Sequence, residues 1–213
     1  MVRKRFEGLD AERRGRILDA AAEQFSDRGY DGASINRIIA EAGISKGALY
    51  YYFDDKEDLF ATVMEQASLL VMDGMGMPPA DDLTAETFWN TFRDLMRRSV
   101  DYLKANERYV RLVRTFWQLR VKTPSSPATR RILDAGRSQL RTILARGQQL
   151  EVVRTDLPLA LLVEVALAVD EAGSRWRLEH WNEFSDDERV AHADAQIDLI
   201  RDMLHAKNQG WED

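Results

Sequence analysis

The sequence predicts an all-α fold, and its 213 residues suit one compact domain or a small domain joined to a larger one. Three observations carry this expectation. Apolar residues recur at spacings of three and four almost throughout, the period of a half-buried helix. Alternating strand patterns are scarce. Only five prolines interrupt the 213 residues, and proline is what a helix interior tolerates least.

The first helix is expected from about Asp10 to Arg28, with Ile17, Leu18, Ala21, Ala22 and Phe25 on one stripe. "DRGYDGAS" follows as a Gly-rich stop. Ser34 then suits the N-cap of a short second helix whose apolar face is Ile35, Ile38, Ile39 and Ala42, because its hydroxyl can accept from an otherwise unpaired backbone N–H. "AGIS" turns the chain, Ser45 caps a third short helix, and Asp54 or Asp55 starts a longer fourth through "KEDLFATVMEQASLLVM". "DGMGMPPADD" reads as a loop. Two helices are expected over Thr84–Asn106 and Glu107–Lys122, then a break at "TPSSPA", a helix to about Gln149, and an apolar one from Pro158 to His180. Ser185 caps the last helix. Its positions Val190, Ala193, Ile197, Ile200 and Leu204 repeat at three and four, the seam of a helix packed along most of its length against a neighbour.

Composition narrows the class. There is no cysteine, which removes disulfide frameworks, thiolate metal sites and cysteine nucleophiles and agrees with a reducing cytosol. The N-terminus "MVRKRFEGLDAERRGR" has no apolar core of a signal peptide, and a cytoplasmic location is expected. The longest apolar stretch, Leu157 to Val169, is broken by Pro158 and Glu164 and is shorter than the roughly 18 residues a membrane span requires. The net charge is −6, yet residues 1–16 hold six basic groups against three acidic ones, so the acidity lies downstream.

"GISKGALYYYFDDKEDLF" sets three tyrosines and a phenylalanine side by side. Two short helices joined by a tight Gly-containing turn are the layout of a helix-turn-helix, whose second helix enters the DNA major groove. At about 100° per residue, Leu49 and Phe53 fall on one side, Gly47 and Tyr51 nearly opposite, and Lys46, Ala48 and Tyr50 on the flanks. The greasy side docks on Ile35, Ile38 and Ile39. The other offers small residues, which let the backbone approach base edges, and Lys46 and tyrosine hydroxyls, which can donate to phosphate. Free N–H groups near Ser45 and Lys46 favour an anion. Asn36 and Arg37 face away from the second helix's stripe, as DNA contacts or as solvated polar residues. Tyr52, nearer the core side, either packs or reaches out.

The stretch "ILDAAAEQFSDRGYDGASINRIIAEAGISKGALYYYFDDKEDLF" closely resembles the N-terminal signature of the TetR family of one-component transcriptional regulators. "ILDAAAEQF", "GYDGASI", "AGISKGALYYYF" and "KEDLF" carry the likeness, although Ile39 stands where the family usually has Ala. The resemblance implies a helix-turn-helix DNA-binding domain over residues 1–55. A ligand-binding and dimerisation domain would fill residues 56–213. It implies a homodimer through the last two long helices, a pseudo-palindromic double-stranded operator, and repression relieved by a small, largely apolar effector. Carried over by position, Ser34, Tyr50 and Lys56 would bind phosphate. Asn36, Arg37, Lys46, Gly47, Ala48 and Tyr51 would reach bases or nearby backbone. The basic arm of Arg3, Lys4 and Arg5 would either add contacts or form a disordered tail.

In the larger part, Met72, Met75, Phe88, Trp89, Phe92, Met96, Tyr102, Tyr109, Phe116, Trp117 and Trp176 are adaptable side chains that line either an apolar pocket or plain core. Asp170, Glu171 and Arg175 sit in or beside an apolar helix, where an unpaired charge is costly; they orient a ligand's polar end or form salt bridges across a dimer. The seam of Val190 to Leu204 serves a dimer or packs inside one chain. His180, His192 and His205 lack metal-site spacing, and no metal or cofactor is expected. No local nucleophile motif occurs. An enzyme using the larger part, or an adaptor whose exposed tyrosines bind protein, are the alternatives to a regulator.

Overall fold

A computed structural model of the chain describes residues 2–123 and 126–206, without the side chains of residues 2–4, 70–75, 127, 128 and 135. Arg3, Lys4, Met72 and Met75 therefore lie outside the residues whose side chains are described. Among the described residues ten α-helices follow in order: α1 (Val2–Glu7), α2 (Ala11–Gly32), α3 (Ile35–Ala42), α4 (Lys46–Tyr52), α5 (Lys56–Met75), α6 (Phe88–Ala105), α7 (Glu107–Lys122), α8 (Pro127–Gln149), α9 (Leu159–Glu179) and α10 (Asp186–Leu204). No strand forms among the described residues; Val153 and His205 make a single isolated bridge.

Two compact units result, residues 1–70 with 106–133 and residues 71–105 with 134–213. This cuts the chain elsewhere than the expected 55/56 boundary, because most of α5 and all of α7 pack with the three-helix head.

In the first unit, side-chain caps define the helices. The Asp10 carboxylate accepts from the Arg13 N–H at 2.8 Å and starts α2. Gly29, at φ 67°, breaks the regular helix where the Gly-rich stop was expected, and helical turns run on to Gly32. The Ser34 hydroxyl accepts from the Arg37 N–H at 3.4 Å. Gly43 ends α3 at φ 64°, a left-handed conformation costly for residues with a Cβ. The Ser45 hydroxyl accepts from the Ala48 N–H at 3.1 Å and opens α4. Of the two aspartates proposed to start the next helix, Asp55 does so, accepting from the Asp58 N–H at 2.8 Å.

Ile17, Phe25, Ile38, Leu49, Phe53 and Phe60 share one core. α7 closes it, with the buried Thr115 hydroxyl donating to the Phe25 carbonyl at 3.3 Å. Arg131 fastens the start of α8 to α5, donating to Asp58 at 2.7 Å and to Glu65 at 2.6 Å. The N-terminal arm corrects one expectation, since it is helical and not a tail. Phe6 anchors it, buried with its ring 4.8 Å from that of Phe53.

The second unit is built on Phe88, Leu144, Val153, Leu162 and Leu204. α6 and α10 are joined by Arg93 with Asp198 and by a bidentate Arg97–Asp194 pair at 2.8 and 2.7 Å. Ser185 caps α10 as expected and forms a reciprocal box with Glu188. α5 continues through Asp73–Met75, which the sequence suggested as loop, until Gly76 at φ 63° ends it.

The regular seam of α10 is satisfied inside the chain, where Ala193, Ile197 and Leu204 are buried. A second stripe is not. On α9, Leu161, Ala168, Ala172 and Trp176 are exposed; on α10, Ala191, Ala195, Leu199 and Met203 are exposed. Their spacing of four and seven keeps each set on one helix face.

Candidate functional site

The head presents α4 with its back fixed. Leu49 and Phe53 are each 2% exposed, while Tyr50 and Tyr51 are 48% and 52% exposed. Lys46, Gly47 and Ser45 are exposed as well, and Ala48 is half-buried against the core. The Arg5 guanidinium lies 4.5 Å from the centre of the Tyr51 ring, a cation–π contact that brings the first helix to the edge of this face. Tyr52 turns inward, half-buried, with its ring 6.3 Å from Phe6. Asn36 and Arg37 are exposed on α3, and Ser34 is half-buried as its cap.

Lys56 is differently placed from the surface residues around it. Its ammonium donates to the Asp31 carbonyl at 3.2 Å and lies 5.1 Å from the Tyr30 ring centre. Burial pushes the ammonium down, and Asp31 opposes that. Lys122 holds the Asp31 carboxyl below its ordinary range by a hydrogen bond. Burial, with Glu57, Asp55 and Asp31 adding to it, pushes the Tyr30 hydroxyl up to about 12. Tyr30 thus stays a neutral donor, and this cluster ties the end of α2 to the start of α5.

The second unit bears a partly open cavity of about 310 Å³, at the small end of the range for ligand sites. Trp89, Phe92 and Met96 of α6 face it, with Leu140 and Ile143 of α8 and Asp170 of α9. Burial pushes the Asp170 carboxyl up, with Arg177 opposing; burial likewise pushes Arg177 down, with Asp170 opposing.

Residues 17–63 match the family described as "Bacterial regulatory proteins, tetR family". The chain is 46% identical over 55 residues to the HTH-type transcriptional activator FasR of Mycolicibacterium smegmatis, covering 26% of this chain and 25% of that protein. It is 34% identical over 105 residues to the HTH-type transcriptional repressor SCO4008 of Streptomyces coelicolor, covering 49% of this chain and 48% of that one. Residues 17–63 thus carry the DNA-binding signature of the tetR family.

The matched part thus spans about a quarter to a half of the length of these relatives. The fold likeness is longer. The chain superposes on FadR of Bacillus subtilis, described in complex with stearoyl-CoA, with a TM-score of 0.69 at 18% identity, over 90% of this chain and 99% of that one.

Within this chain the expected site residues divide. Lys46, Gly47, Tyr50 and Tyr51 share the open face of α4, and Asn36 and Arg37 are open on α3. Of the expected pocket residues, Trp89, Phe92 and Met96 meet at the cavity. Phe116 and Trp117 do not: they belong to the core of the first unit. Glu171 is not on the cavity wall, and Trp176 is 45% exposed, its ring tilted against those of His180 and Phe184 with centroids 5.1 Å away in each case. Sequence reasoning missed Leu140, Ile143 and Ile197, whose aliphatic side chains at helical spacing carry no mark of a cavity. It also missed Tyr30 and Arg177. Among the described residues, no helix is long and apolar enough to cross a membrane, and no group of three His, Asp or Glu stands ready for a metal.

Proposed function

We propose that this chain is a TetR-family regulator, a dimeric, DNA-binding repressor released from a pseudo-palindromic operator by a small, largely apolar effector. The observation that carries it is α4, an aromatic-tipped helix with a buried back and an open, small-residue front. Lys46, Tyr50, Ser34 and Ser45 serve phosphates, and Asn36, Arg37, Gly47, Ala48 and Tyr51 approach bases or nearby backbone. Arg5, held over Tyr51, joins them. Lys56 reaches phosphate only by leaving the Asp31 carbonyl, so its main service is to brace the head.

The exposed stripes of α9 and α10 support pairing of two chains in a four-helix bundle. A twofold pair of heads reads half-sites about one duplex turn apart. The cavity bordered by Trp89, Phe92 and Met96 holds the effector. α5 begins directly after the reading head and ends in the unit that holds the cavity, so a ligand that repacks that unit biases the angle of the helix leading to α4. A preference of 1–3 kcal/mol for the non-binding shape lowers operator affinity roughly 5- to 150-fold.

The reading predicts a shifted complex with the promoter beside the protein's own gene, weakening steeply between two salt concentrations as phosphate-driven binding does. A chain that leaves this DNA unshifted at low salt is no such regulator. A protein-binding adaptor would give the same blank result while retaining a partner through Tyr50 and Tyr51.

A further inference from the structure

We propose that the cavity of the second unit takes a compact lipophile whose polar end is a hydrogen-bond-donating, non-anionic group, best a protonated amine, seated on Asp170. This deepens the effector reading and rests on its premise that the cavity is a ligand site.

Among the described residues the wall is hydrocarbon except at a few points, and Asp170 is its one charged side chain. The Gln196 side-chain amide donates to the Asp170 carboxylate at 2.8 Å and to the Asp170 main-chain carbonyl at 3.1 Å. The same amide's oxygen accepts from Arg177, whose other terminal nitrogen donates to the Ser174 hydroxyl at 3.3 Å and lies 3.8 Å from the Met96 sulfur. Arg177 is buried and does not line the cavity. The guanidinium therefore stands behind Asp170 and meets it through an amide, leaving the carboxylate to face the hollow.

This arrangement is built into the backbone. A Cβ on Gly173 would lie 2.6 Å from the Gln196 amide oxygen, so only glycine on α9 lets Gln196 close the chain of contacts.

A carboxylate has about four acceptor positions. Gln196 and Ser174 engage it, which leaves room for donors from a ligand. An ammonium there forms a charge-assisted bond in a water-poor site, the strong kind. A carboxylate or phosphate head would face like charge with no cation on the wall to receive it. Trp89 adds a polar point to those of Asp170, Ser99 and Gln139. Its indole N–H is buried with no partner, a condition that calls for an explanation in a native fold. An ether, hydroxyl or carbonyl oxygen along the ligand body would accept from it. About 310 Å³ accommodates roughly ten non-hydrogen atoms at ~30 Å³ each.

The test first uses the unaltered full chain and titrates n-octylamine, octan-1-ol and octanoate by calorimetry. Octylamine is expected to bind about tenfold or more tighter than octanoate, with octanol between them. Asp170→Asn, checked for its helical signal, should erase the preference for the amine over the alcohol. Octanoate binding as well as or better than octylamine overturns the head-group assignment and leaves the effector reading standing. An amine that binds through Asp170 yet does not alter the operator complex does the reverse. Binding of none of the three overturns the proposal.

Discussion

At the scale of single residues, the reading face follows from an angular argument. Leu49 and Phe53 are four apart, so both point inward, and the tyrosine between them at position 51 must point out. Tyr50→Phe removes one hydroxyl from an exposed ring, and Lys46→Ala one charge. Both should weaken operator binding with the melting temperature unchanged, and the lysine variant should also reduce the salt slope by about 1. Normal binding by both variants would refute the assignment. Glycine 147 makes a different case. A Cβ there would lie 2.5 Å from a Val153 methyl and 2.6 Å from the Phe88 ring. Gly147→Ala gains up to about 1 kcal/mol of helix propensity but overpacks a core, which typically costs 1–3 kcal/mol; a lowered denaturation midpoint is the expected result. The outward tyrosines were legible because period alone fixes them. Lys56 was not, since its acceptor, the Asp31 carbonyl, is 25 residues away and comes near only after folding.

At the scale of helices, starts were more readable than stops. Ser34, Ser45 and Ser185 cap as their spacing to the following residues suggests, because a cap is a local contact within four residues. The end of α5 was hidden: "DGMG" looks like a turn, yet it continues as helix until Gly76 takes a positive φ. The first helix was hidden too, its charge outweighing Phe6, whose burial depends on Phe53. Ser185→Ala should cost about 1 kcal/mol of stability, measured by urea unfolding. Its partner Glu188 is held below the ordinary carboxyl range by the Ser185 backbone N–H and then by the hydroxyl. A depressed folded-state value means the contribution is whole above the unfolded value of 4.5 and fades as pH falls through the lower folded one. Glu188→Gln should therefore flatten the acid side of the stability curve, while near neutral pH the variant retains its cap. An unchanged acid limb would remove Glu188 from that role.

For the whole molecule, the sequence suggested a seam on α10 and left open whether a twin or the same chain fills it. Two stripes exist on that helix, and the more regular one, through Ala193 and Ile197, is internal. The stripe through Leu199, 60% exposed, is interrupted by Asp202, and its alanines read as filler, so pattern alone underrates it. Leu199→Glu should give a chain that sediments at half the mass with its helical signal intact. Its operator affinity should fall by roughly 10²-fold or more, the usual worth of tethering two weak contacts. A dimer that survives this change and binds DNA normally puts the pairing elsewhere. If Leu161, Trp176 and Leu199 are covered only by a twin, dilution becomes a signal in its own right. In a cell holding few copies, promoter occupancy would climb with the square of the chain's abundance, so that a modest change in synthesis would throw a sharp switch.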